Sequence, residues 1–121
     1  MLPLFEAERN MSANIFSEIK KSLGTQSESI ILFGSVARKE ETYESDLDIC
    51  IVYKGSKSKL EESVSSLRDS LGKKYGVTLA PFYISQTEFK HRAKSGKSPI
   101  HDILKDGKVI CGKSMERLIH G

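Results

Sequence analysis

The sequence predicts an α/β (α+β) domain with one small mixed sheet of three to four strands flanked by helices. Two observations carry that reading. Segments of helical and strand character alternate along the whole chain, and the strand-like ones are short apolar runs bounded by turn residues. A third bounds it: 121 residues with an ordinary apolar fraction of 38% suffice for one hydrophobic core without disulfide or metal staples. Residues 1–121 are therefore expected to form a single domain.

The elements follow in order. Ile15, Ile19 and Leu23 recur at helical spacing, so a helix is expected over 12–23, with Ser12 as N-cap and Gly24 just past its end. Ser29-Ile-Ile-Leu-Phe33 is a continuous apolar run whose length and branched residues suit a strand buried on both faces. Gly34 ends it, a short helical turn is expected at 35–39, and the polar residues 39–45 read as an exposed loop. Leu47 to Tyr53 is the second strand, followed by a turn at Lys54-Gly-Ser-Lys. Ser58-x-x-Glu61 reads as a capping box for a helix carrying Leu60, Val64, Leu67 and Leu71 on one face and ending near Tyr75-Gly76. Val77 to Ile84 is the third strand, and Pro81, which donates no backbone hydrogen bond, assigns it to an edge or a bulge. Ser85-x-x-Glu88 opens a second boxed helix, 99–105 a further short one, and 107–112 a last strand or strap.

Composition excludes several function classes. The formal charge of +3, from 19 basic and 16 acidic residues, is too even for a nucleic-acid coat protein. The basic runs Lys54 to Lys59, Lys73-Lys74 and Lys90 to Lys97 read mainly as solvated faces; a small nucleic-acid binder resting on the last of them is the weakest of three functional readings. Cys50 and Cys111 sit in apolar runs without metal-ligand spacing and are expected to be buried free thiols of a reducing compartment. The N-terminus lacks the pattern of a signal peptide, and no stretch approaches the roughly 20 apolar residues of a membrane span. The expected location is the cytoplasm. His91, His101 and His120 are too scattered for a metal site, Tyr43 reads as loop decoration, and Tyr53, Tyr75, Phe82 and Tyr83 fall on apolar faces.

The stretch that carries chemistry is Leu32-Phe-Gly-Ser-Val-Ala-Arg38, seven residues, then Asp46-Leu-Asp-Ile49. Residues two apart on a strand share a face, so Asp46 and Asp48 present two carboxylates side by side. That proximity costs Coulomb energy unless a cation neutralises it. Mg²⁺ suits such a pair, because it takes one or two protein carboxylates and fills its shell with phosphate and water. Gly34, at the end of a buried strand, lets a ligand approach the backbone closely, and Ser35 at the following turn offers N–H and hydroxyl groups to phosphate oxygens. If the two strands are neighbours, cradle and carboxylates lie within one nucleotide triphosphate's length.

The segment Leu32 to Val52 resembles the signature of the DNA polymerase beta-like nucleotidyltransferase superfamily, in which a hydrophobic strand leads to Gly-Ser and an Asp-x-Asp strand follows. The Phe-Gly-Ser-x-Ala-Arg and Ser-Asp-Leu-Asp spellings are similar to its minimal prokaryotic branch, the MNT-type proteins. The resemblance implies that Gly34 and Ser35 bind the β- and γ-phosphates of an NTP, with ATP the expected one, and that Arg38 adds a cation near the triphosphate. It implies that Asp46 and Asp48 are the catalytic residues and hold two Mg²⁺ ions, which activate an acceptor hydroxyl for in-line attack on the α-phosphorus and stabilise the leaving pyrophosphate. One departure stands out. The family's third carboxylate comes from a later strand, and the segment Val77 to Ile84 contains no acid; Ala80 and Pro81 occupy the expected place, and Glu88 and Asp102 are the next acids along the chain.

Two further readings follow from the resemblance. In the first the chain transfers a nucleoside monophosphate from an NTP to a hydroxyl, the acceptor being a partner toxin of the HEPN class, an RNA end or a small molecule, recruited by a partner or by a homodimer. In the second it is a catalytically weak or inactive antitoxin or regulatory module that works by contact, a reading supported by the acid-free third strand.

Overall fold

In a computed structural model, residues 4–33, 47–96 and 100–120 are described. The chain runs α1 (Leu4–Leu23), a 3₁₀ turn (Gly24–Gln26), β1 (Ser27–Phe33), β2 (Leu47–Tyr53), α2 (Lys57–Tyr75), β3 (Leu79–Ser85), α3 (Gln86–Ser95), α4 (Ile100–Asp106), β4 (Lys108–Gly112) and α5 (Met115–His120). The strands form one mixed sheet in the order β3-β2-β1-β4. β1 is antiparallel to both β2 and β4, whereas β3 lies parallel to β2. A parallel neighbour requires a crossover, and the 19-residue α2 supplies it. Pro81 stands on an edge strand, as its missing donor demands.

Each face of the sheet has its own apolar layer. Ile15, Ile19 and Leu23 of α1 and Leu60, Val64, Leu67 and Leu71 of α2 pack against Ile30, Leu32, Leu47, Ile49, Ile51 and Leu79. On the other face Phe89 of α3, Ile100 and Ile103 of α4 and Leu118 of α5 pack against Ile31, Cys50, Val52 and Ile84. The alternation of neighbouring strand residues between these layers is the period-two geometry of a strand buried on both faces.

Most elements match their sequence signals. β2 spans Leu47 to Tyr53 as expected, α2 ends at Gly76 in a left-handed conformation (φ 71°), and Ser85 caps α3 by accepting from the Glu88 N–H at 3.2 Å. Four differences are informative. α1 begins at Leu4, eight residues before the expected Ser12 cap; Leu-Phe-Glu-Ala-Glu-Arg-Asn-Met is rich in good helix formers and offers no stop. α2 is capped by Ser56, which accepts from the Lys59 N–H at 3.3 Å, so Ser58 and Glu61 lie inside the helix. Gly55, with φ 72°, turns the chain into Ser56 before Ser58 is reached. Cys111 is half-buried, not buried, because β4 is an edge strand. Finally, α5 was not anticipated: the Arg117 N–H donates to Ser114 Oγ, but Ser114-x-x-Arg117 lacks the Glu or Gln that marks a capping box.

β4 closes the sheet as a strap. Ser29, fully buried, donates its hydroxyl to the Lys113 carbonyl at 2.8 Å, and Lys113 Nζ pairs with Glu28 at 3.3 Å. Gly112 takes φ 90° where a Cβ would meet the Glu28 carbonyl and Ser29 Cα, so the close approach of strap and β1 needs glycine.

Candidate functional site

The two strands that carry the motif are direct antiparallel neighbours, and the last residue of β1, Phe33, is the Cα partner of Asp48. On the far side of Asp48, the parallel register pairs it with Ala80 of β3. Phe33, Asp48 and Ala80 therefore form one row across three strands, and all three are half-buried. The next row on this face is Ile31, Cys50 and Phe82, of which the first two are fully buried. Beyond it, Val52 and Ile84 are sealed under α3 and its neighbours. Solvent access thus grows along one face, toward the end of the sheet where β1 leaves and β2 enters.

The opposite face does not open. Leu47 and Leu79, partners in the β2–β3 register at that same end, are 6% and 0% exposed under the α1–α2 layer. The Leu47 N–H donates to the Thr78 carbonyl at 2.8 Å, which pins the start of β2 to β3. Asp48 is thereby held at a fixed place on the accessible side of a rigid sheet end.

Of the residues singled out by sequence, Asp48 is the one the structure places; Gly34, Ser35, Arg38 and Asp46, like Tyr43, lie outside the described residues. The anchors of the intervening segment, Phe33 and Leu47, sit on adjacent strands at one end of the sheet. The strands that carry the two halves of the motif are thus antiparallel neighbours. Ala80 occupies the place where a third carboxylate was sought. Glu88 does not replace it: α3 starts at the other end of β3, about 16 Å from Ala80 at roughly 3.3 Å per residue, and the Glu88 carboxylate pairs with Arg92 at 3.1 Å. Among the described residues no group of three His, Cys, Asp or Glu side chains is gathered to hold a metal. The donor chemistry at Asp48, a half-exposed hard oxygen ligand on β2, fits the mode in which Mg²⁺ takes one or two carboxylates and completes its shell with phosphate and water.

Cys50, two residues from Asp48, is not a nucleophile candidate. Burial pushes its thiol pKa up to about 12, so the reactive thiolate is suppressed. A second polar region, not read from the sequence, lies on the α1–α2 side. There Glu18, Ser22, Ser63, Ser66, Leu67 and Ser70 line a groove of about 420 Å³, Gln26 Nε2 donates to Ser63 Oγ at 2.9 Å, and the Tyr75 hydroxyl donates to Glu18 at 2.9 Å. The serines at 63, 66 and 70 share the helical spacing that would have revealed a polar stripe beside the apolar one. None of the described helices is long and apolar enough to cross a membrane.

The family model of the nucleotidyltransferase domain matches residues 13–109. No curated protein matches the sequence. Among solved structures, a toxin–antitoxin crystal structure with AMP-PNP is similar at 17% identity and a TM-score of 0.59, over 87% of this chain and 81% of that one. Two mutant forms of the toxin–antitoxin MntA-HpeT are similar at 13% and 16% identity, with TM-scores of 0.58 and 0.57. Each aligns over 89% of this chain, and over 80% and 79% of its own. At such identities the likeness is one of fold.

Proposed function

The chain belongs to the nucleotidyltransferase domain family, and from that premise we propose that it transfers a nucleoside monophosphate from a Mg²⁺-bound NTP, ATP first among them, to a hydroxyl acceptor, forming a bond from that oxygen to the α-phosphorus and releasing pyrophosphate. The observation that carries the reading is the row at the sheet end. Phe33, which precedes Gly34-Ser35, stands directly beside Asp48, on a face left open to solvent. In this reading Gly34 and Ser35 hold the triphosphate through backbone N–H and hydroxyl groups, Arg38 adds positive charge beside it, and Asp46 and Asp48 hold the cation. The cation, when bound, supplies Lewis acidity at the phosphoryl oxygens and lowers the pKa of the attacking hydroxyl.

A protein partner is part of the proposal. The similar structures are toxin–antitoxin assemblies, one of them with AMP-PNP, which supports a protein as the source of the acceptor. A HEPN-class toxin hydroxyl is the proposed acceptor, with a homodimer the other means of completing the site. A second reading is favoured by Ala80. With a methyl group beside Asp48, proton removal from the acceptor falls to water, to the substrate, or to Asp46 or Asp48. A dedicated general base is worth about 10²- to 10⁴-fold, so a slow transferase or a contact-only antitoxin module fits the same geometry.

Calorimetric titration of Mg²⁺·ATP into the wild-type chain and an Asp46→Asn/Asp48→Asn variant tests the site. Saturable, Mg²⁺-dependent binding confined to the wild type is expected. Folded protein that binds none of the four NTPs would overturn the enzyme reading and leave the contact module. Incubation of the binding-competent protein with labelled ATP and the candidate partner then separates transfer from binding alone.

A further inference from the structure

We infer that two copies of the chain meet along the edge formed by α2 and β3, about a two-fold axis that sets Glu61 of each copy opposite Arg68 of the other. The surface is separate from the open end of the sheet, and the inference does not depend on nucleotide binding. α2 buries Leu60, Val64, Leu67 and Leu71. To one side of that apolar stripe its serines line the groove shared with α1. To the other side Lys57, Glu61, Ser65, Arg68 and Gly72 recur at helical spacing, all five exposed. This flank adjoins β3, since Lys57 Nζ lies 5.6 Å from the centre of the Tyr83 ring. Burial is the larger cause that raises the Tyr83 pKa; Glu61 adds to the rise and Arg68 opposes it, so both charges lie within reach of the same hydroxyl.

The backbone decides the mode of contact. The Leu47 N–H donates to the Thr78 carbonyl, so in the parallel ladder the even-numbered residues of β3 bond to β2, and Leu79, Pro81 and Tyr83 turn their backbone groups outward. Pro81 has no N–H and breaks the outward row at its middle, which disfavours an added strand and leaves side-chain packing. Charge and one glycine then point to a second copy. A flank of one sign would repel its own copy, but Glu61 and Arg68 carry opposite signs about two helical turns apart. Antiparallel alignment of the two α2 helices, with the axis beside Ser65, pairs Glu61 with Arg68 twice, as an isologous contact requires. Gly72 is a poor helix former within α2. It has no left-handed φ, and a Cβ there would meet only the Val77 carbonyl oxygen, at an ordinary 3.8 Å. The fold of one chain therefore does not call for glycine at 72. In the same alignment position 72 faces Lys57 of the other copy, whose long side chain takes the space that glycine leaves.

The test is sedimentation equilibrium of the full chain. Wild type should pass from monomer to dimer as concentration rises between about 1 and 500 μM, in keeping with a small interface. Glu61→Lys and Arg68→Glu should each weaken association at least about tenfold, because like charges then face each other twice. The double variant Glu61→Lys/Arg68→Glu should regain the wild-type association. Gly72→Gln should raise the unfolding temperature of the dilute monomer, glutamine being the better helix former, and still weaken association at least about tenfold. That pair of readouts separates crowding at the contact from loss of fold. A wild type that stays monomeric to about 500 μM overturns the inference and leaves the flank to solvent or to a different protein. A dimer indifferent to Glu61→Lys and Gly72→Gln overturns it as well, because the copies then meet elsewhere. So does a double variant no tighter than the single ones, since Glu61 and Arg68 then do not face each other across the axis.

Discussion

The two faces of the sheet differ most at the end where β1 leaves and β2 enters. Under α1 and α2 the apolar layer runs to the last residues, so that Leu47 and Leu79 are closed over. Under α3, α4 and α5 the fully buried side chains stop one row short, and Phe33, packed against their edge, stays half-exposed with Asp48 and Ala80. The same three strands therefore supply a rigid backing on one side and an accessible polar position on the other. A catalytic or binding carboxylate needs both, since fixed geometry comes from packed elements and ligand access from their absence.

The sharpest way to break this contrast is to cut into the closed face. Leu79→Ala removes a fully buried side chain at the site's own end of the sheet and should cost about 2–5 kcal/mol, measured by urea unfolding. Ala80→Ser, one residue along β3 on the open face, should stay within about 0.5 kcal/mol. Equal losses at 79 and 80 would mean that the two faces are not differently packed.

Asp48→Asn probes the open face for function. It should lower Mg²⁺·ATP affinity at least about tenfold, or 1.4 kcal/mol, by calorimetry, with a smaller change in unfolding free energy. The next row sets the boundary of the opening. Cys50 is sealed and its thiol is held at about 12 by burial, while Cys111 on β4 is half-buried with a thiol also raised by burial. Alkylation followed by mass spectrometry at pH 8 should modify Cys111 first and Cys50 only at the rate of global unfolding. Early loss of Cys50 would place the opening one row deeper than the register indicates.

How much of this was legible in the sequence depends on which force fixed each feature. The strand pair, the apolar face of α2 and the edge position of β3 follow from local patterns: the runs at 29–33 and 47–53, the spacing of Leu60, Val64, Leu67 and Leu71, and Pro81. Asp48 followed from strand alternation, although its partners did not. That Ala80, and not Leu79 or Pro81, stands beside Asp48 is a matter of register, which tertiary packing sets. The start of α2 was misplaced because Ser56 and Ser58 both offer a cap, and only the turn at Gly55 chooses between them. α5 was missed because a six-residue helix carries too few turns for periodicity, and its one buried anchor, Leu118, is recognisable only against Phe89 and Ile103.

Those two serines allow a smaller test within the closed layer. Ser56→Ala should cost about 1 kcal/mol, because Ser56 accepts the Lys59 N–H, whereas Ser58→Ala, in the helix interior, should be neutral or slightly stabilising. The reverse order would restore the capping box at Ser58-x-x-Glu61.

The smallest expected effect lies on the outer surface of the closed face, where α1 meets the end of α2. The Tyr75 hydroxyl donates to Glu18 at 2.9 Å and Lys74 Nζ lies 3.2 Å from the same carboxylate. Both hold the Glu18 pKa below its ordinary 4.5, the Tyr75 hydrogen bond being the larger cause. The sign follows from linkage: a carboxyl whose pKa is lower in the folded state stabilises that state above the unfolded value, and the gain is lost as pH falls through the folded value. Tyr75→Phe should therefore unfold at a slightly lower temperature than wild type at pH 7, and the gap should narrow as pH drops below 4.5. The effect is small because the cluster is solvent-screened, and raised salt should weaken its Lys74 component further. A gap that stayed constant from pH 7 to pH 3 would assign Tyr75 to packing between α1 and α2 alone, with no part played by the carboxylate it touches.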